Sequence, residues 1–251
     1  MRLAIRCILI LFIAVSSVRA QKAPAPDGGS VSALPKDLKK GGKVPLLVFL
    51  HGKRNSPDDV FALLKPLVEP WRCAVLAPRG SVAMGPRPDG TPGYGWKPET
   101  DVEVIGGEIR RMIEAGSVDA KRVYLAGFSA GAHLCYAVLA KHPEIFAGTI
   151  CFGGAIQKTL VAEEDLKAAV RTPVFIVHGQ RDRVIPPRLG EQARDVLAKA
   201  GFRVRLKTFP GDHQMPTDYL DVLKEAVEWC DAQKAELDAK PPAEAGRKET
   251  P

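Results

Sequence analysis

The sequence lacks a long apolar run, an internal repeat and a dense stripe of basic residues. The apolar segment CILILFIAV, at residues 7–15, is nine residues long, whereas a membrane-spanning helix needs about 20. No low-complexity tract interrupts a composition that is 45% hydrophobic and 26% charged. These absences argue against a membrane-spanning or repeat protein, and 251 residues are enough for one α/β domain with a sizeable core.

The first 20 residues have the layout of a secretory signal peptide. Two arginines precede the apolar run and the small residues of SSVRA follow it, so cleavage is predicted after Ala20. A transmembrane anchor is the alternative, and the short apolar run disfavours it. We therefore predict an exported protein, periplasmic or extracellular, with no stable membrane span once the signal peptide is removed.

Neither the charge nor the cysteines point to a nucleic-acid or metal partner. The formal net charge of +7 falls to +4 without residues 1–20, because three arginines and no acid lie there. A mildly basic chain without a Lys/Arg stripe predicts no nucleic-acid partner. The four remaining cysteines show no metal-ligand spacing, and their disulfide pairing stays open: Cys73, Cys135, Cys151 and Cys230.

Strand-like and helix-like segments alternate through the middle of the chain. Short apolar blocks separated by helical patterns predict a mostly parallel sheet with helices on both faces. The predicted strands include VPLLVFLHG (44–52), CAVLAP (73–78), RVYLAGF (122–128), AGTICFGG (147–154) and PVFIVHG (173–179). This domain is placed at 44–235, after a flexible leader at 21–43 with room for one short strand, and before a disordered tail at 236–251.

The segment YLAGFSAGAH runs an apolar strand directly into a helix, with Ser129 at the corner. Such a sharp turn forces the corner residue into a strained backbone, and the residues two positions away must be small. Gly127 and Gly131 meet that requirement. Because a serine hydroxyl is a weak nucleophile by itself, the chemistry needs a histidine base and a group that orients it.

Two later strand ends supply those groups. Asp182 follows the strand at 173–179, although an aspartate in a turn beside Arg181 or Arg183 would look the same locally. His213 lies in the loop FPGDHQMP after the last predicted strand, and its neighbour Asp212 is a poor orienter because adjacent side chains point apart. In a parallel sheet, function collects at the carboxyl ends of strands. We therefore predict catalytic roles for Ser129, Asp182 and His213.

A fourth strand end predicts the donors that would hold a tetrahedral oxyanion. Acyl transfer needs preorganised backbone N–H groups, and Ala130, after the serine, supplies one. Lys53, in the loop after FLHG, supplies the other, while His51 is expected to pin that loop. In the Gly/Pro-rich loop 79–100, Tyr94 and Trp96 are candidates either to wall a substrate pocket or to pack the loop onto the domain.

These motifs together resemble the α/β-hydrolase superfamily, whose triad follows the order Ser, Asp, His. FLHG, GFSAGAH, PVFIVHGQRDRVIP and GDHQMP resemble the phospholipase/carboxylesterase group, which includes acyl-protein thioesterases and small bacterial serine esterases. The resemblance covers roughly residues 44–230. Lys53 and Arg54 depart from it, since that group has a small or apolar residue after HG. The short leader predicts a trimmed sheet of about six strands.

The resemblance implies a serine hydrolase that cleaves small-molecule, lipid or polymer esters, or thioesters, through an acyl-enzyme, and the predicted signal peptide adds export. No cofactor and no metal is required. The segment between Gly154 and Thr172 has room for one short helix, so no large cap domain is expected. Lys53 and Arg87 are among the cations near the site, which favours anionic esters. A serine peptidase on the same fold, or a non-catalytic binding protein with a retained hydrolase shell, are the alternatives.

Overall fold

A computed structural model describes residues 29–239, so the predicted signal peptide lies outside the described residues. Helices and strands alternate through this part of the chain, as the sequence predicts. The strands are β1 (Val31–Ala33), β2 (Val44–Leu50), β3 (Ala74–Ala77), β4 (Val82–Pro86), β5 (Pro92–Gly95), β6 (Val118–Phe128), β7 (Gly148–Phe152), β8 (Val174–Gly179) and β9 (Val204–Phe209). The helices are α1 (Pro57–Val68), α2 (Pro98–Glu114), α3 (Ala130–Lys141), α4 (Glu163–Leu166), α5 (Pro187–Ala200) and α6 (Tyr219–Ala239).

Seven strands form one sheet in the order β1-β3-β2-β6-β7-β8-β9. The six strands from β3 to β9 in this order are parallel, and β1 adds an antiparallel edge by pairing with β3. The prediction of about six strands corresponds to the parallel part of the sheet, and β1 lies in the segment 21–43, which was expected to have room for one short strand. Its neighbour Ser30 donates its hydroxyl to the carboxylate of Glu108 in α2 at 3.0 Å, and this bond anchors the edge.

The sheet is covered on both faces, because successive residues of its strands point to opposite sides. In β2, Leu46, Val48 and Leu50 belong to a core shared with α2, α3 and α5. Leu47 and Phe49 of the same strand belong to a second core shared with α1 and α6. This arrangement confirms the interpretation of the continuous apolar run as a strand buried on both sides.

Helix α1 begins with Ser56 as its N-cap and Pro57 in its first turn, which are residue types typical of these positions. The Asp59 backbone N–H donates to the Ser56 hydroxyl, and the Asp59 carboxylate accepts the Ser56 backbone N–H at 2.8 Å. This reciprocal capping satisfies two N–H groups that the helix leaves free.

The loop predicted at 79–100 contains a two-stranded antiparallel ribbon, β4 and β5, so the prediction of an irregular loop was wrong there. A tight turn joins the strands: the Arg87 N–H donates to the Thr91 carbonyl, and the Gly90 N–H donates to the Arg87 carbonyl. Gly90 has a φ of 80°, a conformation that glycine adopts without strain. The sequence did not indicate these two strands because glycine and proline, which normally mark loops, occupy both of them.

The connection between β7 and β8 holds one short helix, α4, and a single 3₁₀ turn. No cap domain covers the carboxyl edge of the sheet at this point, in agreement with the expectation from segment length. Across residues 29–239, none of the helices combines the length and the apolarity needed to cross a bilayer.

Helix α6 continues to Ala239, so residues 236–239 are helical and not part of a disordered tail. Lys234 pairs with Asp238 one helical turn later, with Nζ–Oδ distances of 2.6 and 2.7 Å. Arg171 also donates to the Leu237 carbonyl at 2.5 Å. These contacts stabilise a last turn that its polar composition alone does not predict.

All four cysteines within the described chain are unpaired and buried: Cys73, Cys135, Cys151 and Cys230. Burial raises the pKa of the Cys73 thiol to about 12, and it raises the pKa of Cys135 as well. The open question of disulfide pairing is thus answered by free thiols that pack as small apolar side chains.

Candidate active site

Ser129 occupies a strained corner between β6 and α3. Its φ of 54° and ψ of −117° lie outside the regions that side chains other than glycine prefer. The Ser129 N–H donates to the Phe152 carbonyl at 2.9 Å, which ties the corner to the end of β7. The structure therefore confirms the strained conformation predicted from the glycine-flanked serine, and it raises the hydroxyl above the carboxyl edge of the sheet.

The two glycines that flank the corner permit backbone contacts that no side chain would allow. A Cβ on Gly131 would lie 2.1 Å from the Leu50 carbonyl oxygen, and a Cβ on Gly127 would lie 2.6 Å from the Gly131 carbonyl carbon. Both distances are far below van der Waals contact. Helix α3 consequently crosses β2 and β6 at a separation that only glycine makes possible.

Gly131→Ala is expected to lower the free energy of unfolding by about 3 kcal/mol, because backbone atoms of β2 and α3 must separate. Gly107→Ala is the matched control, since Gly107 also lies within a helix but its Cβ would meet only the flexible Arg111 side chain, at 3.7 Å. That control should be stabilised by about 0.5–1 kcal/mol. Urea unfolding of both variants tests the contrast, and equal effects would contradict the close approach at Gly131.

The three side chains predicted from separate strand ends form one hydrogen-bonded chain. His213 Nε2 lies 2.8 Å from Ser129 Oγ, and His213 Nδ1 lies 2.8 Å from Asp182 Oδ2. Because a carboxylate only accepts, Nδ1 carries the proton and donates to Asp182, which leaves Nε2 to accept from the serine hydroxyl. The Phe128 ring packs against the imidazole with centroids 5.0 Å apart.

Asp182 is held by the turn that follows β8. Its Oδ1 accepts the backbone N–H groups of Val184 at 2.9 Å and Ile185 at 2.7 Å, so Oδ2 faces His213. His178, which is fully buried, donates from Nε2 to the Ile185 carbonyl at 2.7 Å and fixes the same turn. The Asp182 side chain is only 1% exposed. This orientation of the carboxylate is therefore set before any substrate binds.

Asp212, the neighbour of His213, contacts Arg183 instead of the imidazole ring. Its carboxylate accepts hydrogen bonds from the Arg183 backbone N–H at 3.0 Å and from Arg183 Nε at 2.9 Å. These bonds, together with the His213 N–H, lower the pKa of Asp212 to about 2. The geometry agrees with the expectation that Asp212 does not orient the imidazole, and it shows that Asp212 links the His213 loop to the Asp182 turn.

The loop after β2 presents Lys53 beside the serine corner. Among residues 29–239, the structure shows no hydrogen-bond acceptor for the backbone N–H of either Lys53 or Ala130, so both donors are free. His51 pins the loop, as predicted: its Nδ1 donates to the Gly52 carbonyl at 2.8 Å and its Nε2 accepts the Gly80 N–H at 3.1 Å. Burial lowers the pKa of His51, which favours this neutral form.

A family model described as Phospholipase/Carboxylesterase matches residues 38–230. This match covers most of the chain and includes all three members of the hydrogen-bonded chain.

The chain belongs to the phospholipase/carboxylesterase family.

Curated relatives agree with this assignment over part of their length. A probable carboxylesterase of Arabidopsis thaliana, SOBER1-like, is 29% identical over 112 residues, which are 44% of this chain and 43% of that protein. Acyl-protein thioesterase 1 of Neurospora crassa is 29% identical over 122 residues, or 47% of this chain and 49% of that protein. The chain thus spans about half the length of the curated relatives that it matches.

Solved structures show the same α/β-hydrolase fold. The crystal structure of esterase PE8 superimposes with a TM-score of 0.65 at 25% identity, covering 79% of this chain and 98% of that one. The crystal structure of Arabidopsis thaliana SOBER1 superimposes with a TM-score of 0.63 at 18% identity, which shows the fold alone.

In this member of the phospholipase/carboxylesterase family, an apolar cavity of about 280 Å³ opens beside the two free N–H groups. We call it the site cavity, and its lining includes Lys53, Met84, Trp96, Ala130, Leu134 and Leu160. Trp96 lines this cavity, and its indole N–H donates to the His51 carbonyl at 2.9 Å, which packs the loop onto the domain. Tyr94 lies outside that lining, with the Arg79 guanidinium 5.4 Å from its ring centroid.

The two cations predicted near the site differ in their contacts. Arg87 NH1 contacts the Asp59 carboxylate at 2.5 Å, so its charge is already paired. Lys53 lies on the rim of the site cavity. The suggested preference for anionic esters would therefore depend on Lys53 and not on Arg87.

Sequence reasoning missed Met84 and Leu160, which complete the cavity. Val82 and Met84 alternate with small residues in SVAMG, and this spacing could have indicated a ribbon with one apolar face. No local pattern marks Leu160, because it reaches the cavity only through the path of the segment between β7 and β8.

Proposed function

We propose that this protein is a serine esterase that cleaves carboxylic esters or thioesters through an acyl-enzyme intermediate. The observation that carries the proposal is the continuous Asp182–His213–Ser129 hydrogen-bonded chain at a strained corner, with 2.8 Å at each link. Two free backbone N–H groups lie at the same edge of the sheet. This combination meets the geometric requirements for nucleophilic acyl transfer.

Each residue has a defined part in that reaction. Ser129 Oγ attacks the ester carbonyl while His213 Nε2 takes its proton, and Asp182 stabilises the imidazolium that forms. The carbonyl oxygen becomes an oxyanion, which the N–H groups of Lys53 and Ala130 stabilise. His213 then donates its proton to the leaving alcohol or thiol. Water, activated by the same imidazole, hydrolyses the acyl-enzyme and regenerates Ser129.

The relatives support an ester or thioester substrate, because those described above are named as carboxylesterase, thioesterase or esterase. The absence of a large cap between β7 and β8 leaves the site open to a bulky alcohol or thiol portion. An exopeptidase of this fold would usually carry an additional domain or an acidic site for the amine of its substrate, and a binding protein would not need an activated serine. Both alternatives are therefore weaker.

The test combines hydrolysis of p-nitrophenyl esters with labelling by a fluorophosphonate probe. Ester hydrolysis is expected, together with a phosphonylated peptide whose modified residue is Ser129. Hydrolysis of p-nitroanilides at a comparable rate would favour the peptidase. A folded protein that neither hydrolyses esters nor reacts with the probe would instead be the binding protein.

We also propose that the protein is exported and that signal peptidase removes residues 1–20. The arginines, the apolar run and the small residues before Gln21 support this proposal. Protein recovered from a secretion-competent bacterial host should begin at Gln21 by N-terminal sequencing. Retention of Met1 in the cytosolic fraction would contradict export.

A further inference from the structure

A buried histidine with one unused nitrogen lines the site cavity. His133 lies one helical turn after Ser129 in α3, and it is only 8% exposed. Its Nε2 has no hydrogen-bond partner among residues 29–239. Unlike His178 Nδ1, which is enclosed and unpartnered, His133 Nε2 remains accessible to solvent. Because the ring borders the cavity, this nitrogen is open to it, and the proposed acyl-transfer steps do not use it.

The backbone of Ala155 holds the other ring nitrogen. His133 Nδ1 lies 2.7 Å from the Ala155 carbonyl oxygen and 3.0 Å from the Ala155 amide nitrogen. Burial lowers the pKa of His133, which favours the neutral ring. A neutral imidazole carries one proton, so Nδ1 either donates to the carbonyl or accepts from the amide. In both cases the contact with Ala155 fixes the direction of Nε2.

Nε2 differs from the other polar groups that line the site cavity. Lys53 and Gln157 have exposed side chains, so water competes for their polar atoms. The Trp96 indole N–H already donates to the His51 carbonyl. Most of the remaining lining is apolar. A buried polar atom without a partner costs free energy, so a ligand group that pairs with Nε2 gains affinity.

The position of the site cavity assigns Nε2 to the acyl portion of the substrate. Side chains of a helix tilt toward its N-terminus, so His133 is directed back toward Ala130, a proposed oxyanion donor. The leaving group must lie near His213, which donates a proton to it. His213 does not belong to the lining of this cavity. The acyl portion, on the other side of the carbonyl carbon, is therefore the part that meets His133.

We propose that His133 Nε2 binds a hydroxyl group on the acyl portion, and that the protein therefore favours esters of hydroxy acids over esters of the unsubstituted acids. A hydroxyl group both donates and accepts, so it pairs with either tautomer of His133, whereas a carbonyl or an ammonium group pairs with only one. This inference rests on the proposed esterase function, because it assigns a subsite of the same reaction.

The experiment measures kcat/KM for p-nitrophenyl butyrate and for the p-nitrophenyl esters of 2-hydroxybutyrate and 3-hydroxybutyrate, with the full chain and its variants. His133→Asn places an amide at the Nδ1 position, which keeps a bond to Ala155, but it has no atom at the Nε2 position. For at least one hydroxy ester, the ratio to butyrate should fall about fivefold in this variant, the effect of losing one hydrogen bond. Comparing the same esters in both proteins cancels their intrinsic reactivities.

His142→Asn is the matched control. It makes the same change in another buried histidine, which lies at the opposite end of α3 and outside the lining of the site cavity. Its hydroxy-to-butyrate ratio should equal that of wild type. If His133→Asn does not fold, the wild-type ratio is divided by the ratio of the hydroxide-catalysed rates of the same esters. A corrected ratio above about five supports the hydroxyl site, and a ratio of one or less contradicts it.

An unchanged ratio in a folded His133→Asn protein that still hydrolyses esters would show that Nε2 binds only water. That result would overturn the hydroxyl site while leaving the esterase function intact. Wild-type protein that hydrolyses none of these esters and resists the fluorophosphonate probe would overturn both.

Discussion

Ser129→Ala is expected to reduce kcat for p-nitrophenyl butyrate by a factor on the order of 10⁴ to 10⁶. The alanine has no nucleophile, whereas the proposed oxyanion donors, the N–H groups of Lys53 and Ala130, remain and should sustain a small residual rate. The fold should be retained, since within residues 29–239 the Ser129 hydroxyl bonds only to His213 Nε2. End-point assays with long incubation at matched protein concentration measure this loss of kcat. Circular dichroism checks that the variant is folded.

Ser117→Ala is the matched control for that variant. Ser117 precedes the first residue of β6 and Ser129 follows the last one, so the two serines lie at opposite ends of the same strand. Activity within a factor of about two of wild type is expected for Ser117→Ala. A further check is non-additivity: adding His213→Ala to Ser129→Ala should cost little more, because the two residues act as a unit. A Ser129→Ala protein that retained a tenth of the wild-type activity would contradict the acyl-enzyme mechanism.

Asp182→Asn is expected to reduce kcat by a factor on the order of 10⁴, the scale seen when a triad histidine is held in the wrong tautomer. The carbonyl oxygen of the asparagine would occupy the Oδ1 position, which accepts the N–H groups of Val184 and Ile185. Its NH₂ group would then face His213 Nδ1 and donate to it. The imidazole proton would have to move to Nε2, and that nitrogen could no longer accept the serine proton.

Asp212→Asn provides the control for this prediction, because it makes the same chemical change one residue from His213. The Asp212 carboxylate is directed toward Arg183, with 2.9 Å between Nε and Oδ2, and it does not contact the imidazole ring. A decrease of no more than about threefold is expected, since asparagine keeps an oxygen acceptor for the backbone N–H groups. Comparable losses in the two variants would show that Asp212 shares the orienting role.

The pair of aspartates illustrates how much of the site could be predicted from the sequence. Asp182, Ser129 and His213 each follow a short apolar strand, and the carboxyl ends of parallel strands share one edge of a sheet. Their convergence could therefore be inferred without coordinates. The tautomer that Asp182 imposes could not be inferred in the same way, because it depends on which carboxylate oxygen the turn at Val184 and Ile185 occupies.

The ribbon β4–β5 and the edge strand β1 mark the limit of local patterns. The strands β4 and β5 contain the glycine and proline that normally signal loops, and β1 is only three residues long and forms because a partner strand distant in sequence lies alongside it. β1 depends on pairing between Val31 and Ala77, which are separated by two other elements of the chain. Strand pairing of this kind is decided by the assembled sheet and not by intrinsic preference.

The sequence alone determined the class of the protein, because the alternating strand and helix patterns and the glycine-flanked serine each lie within a short segment. It also determined the order Ser129, Asp182, His213 and the absence of a large cap. Only the tertiary structure decided that Arg87 pairs with Asp59, how Trp96 divides its contacts, and which side chains line the site cavity. These features arise from contacts between side chains of different helices, strands and loops. Such contacts depend on the distances between packed elements, and no single segment of the sequence encodes those distances.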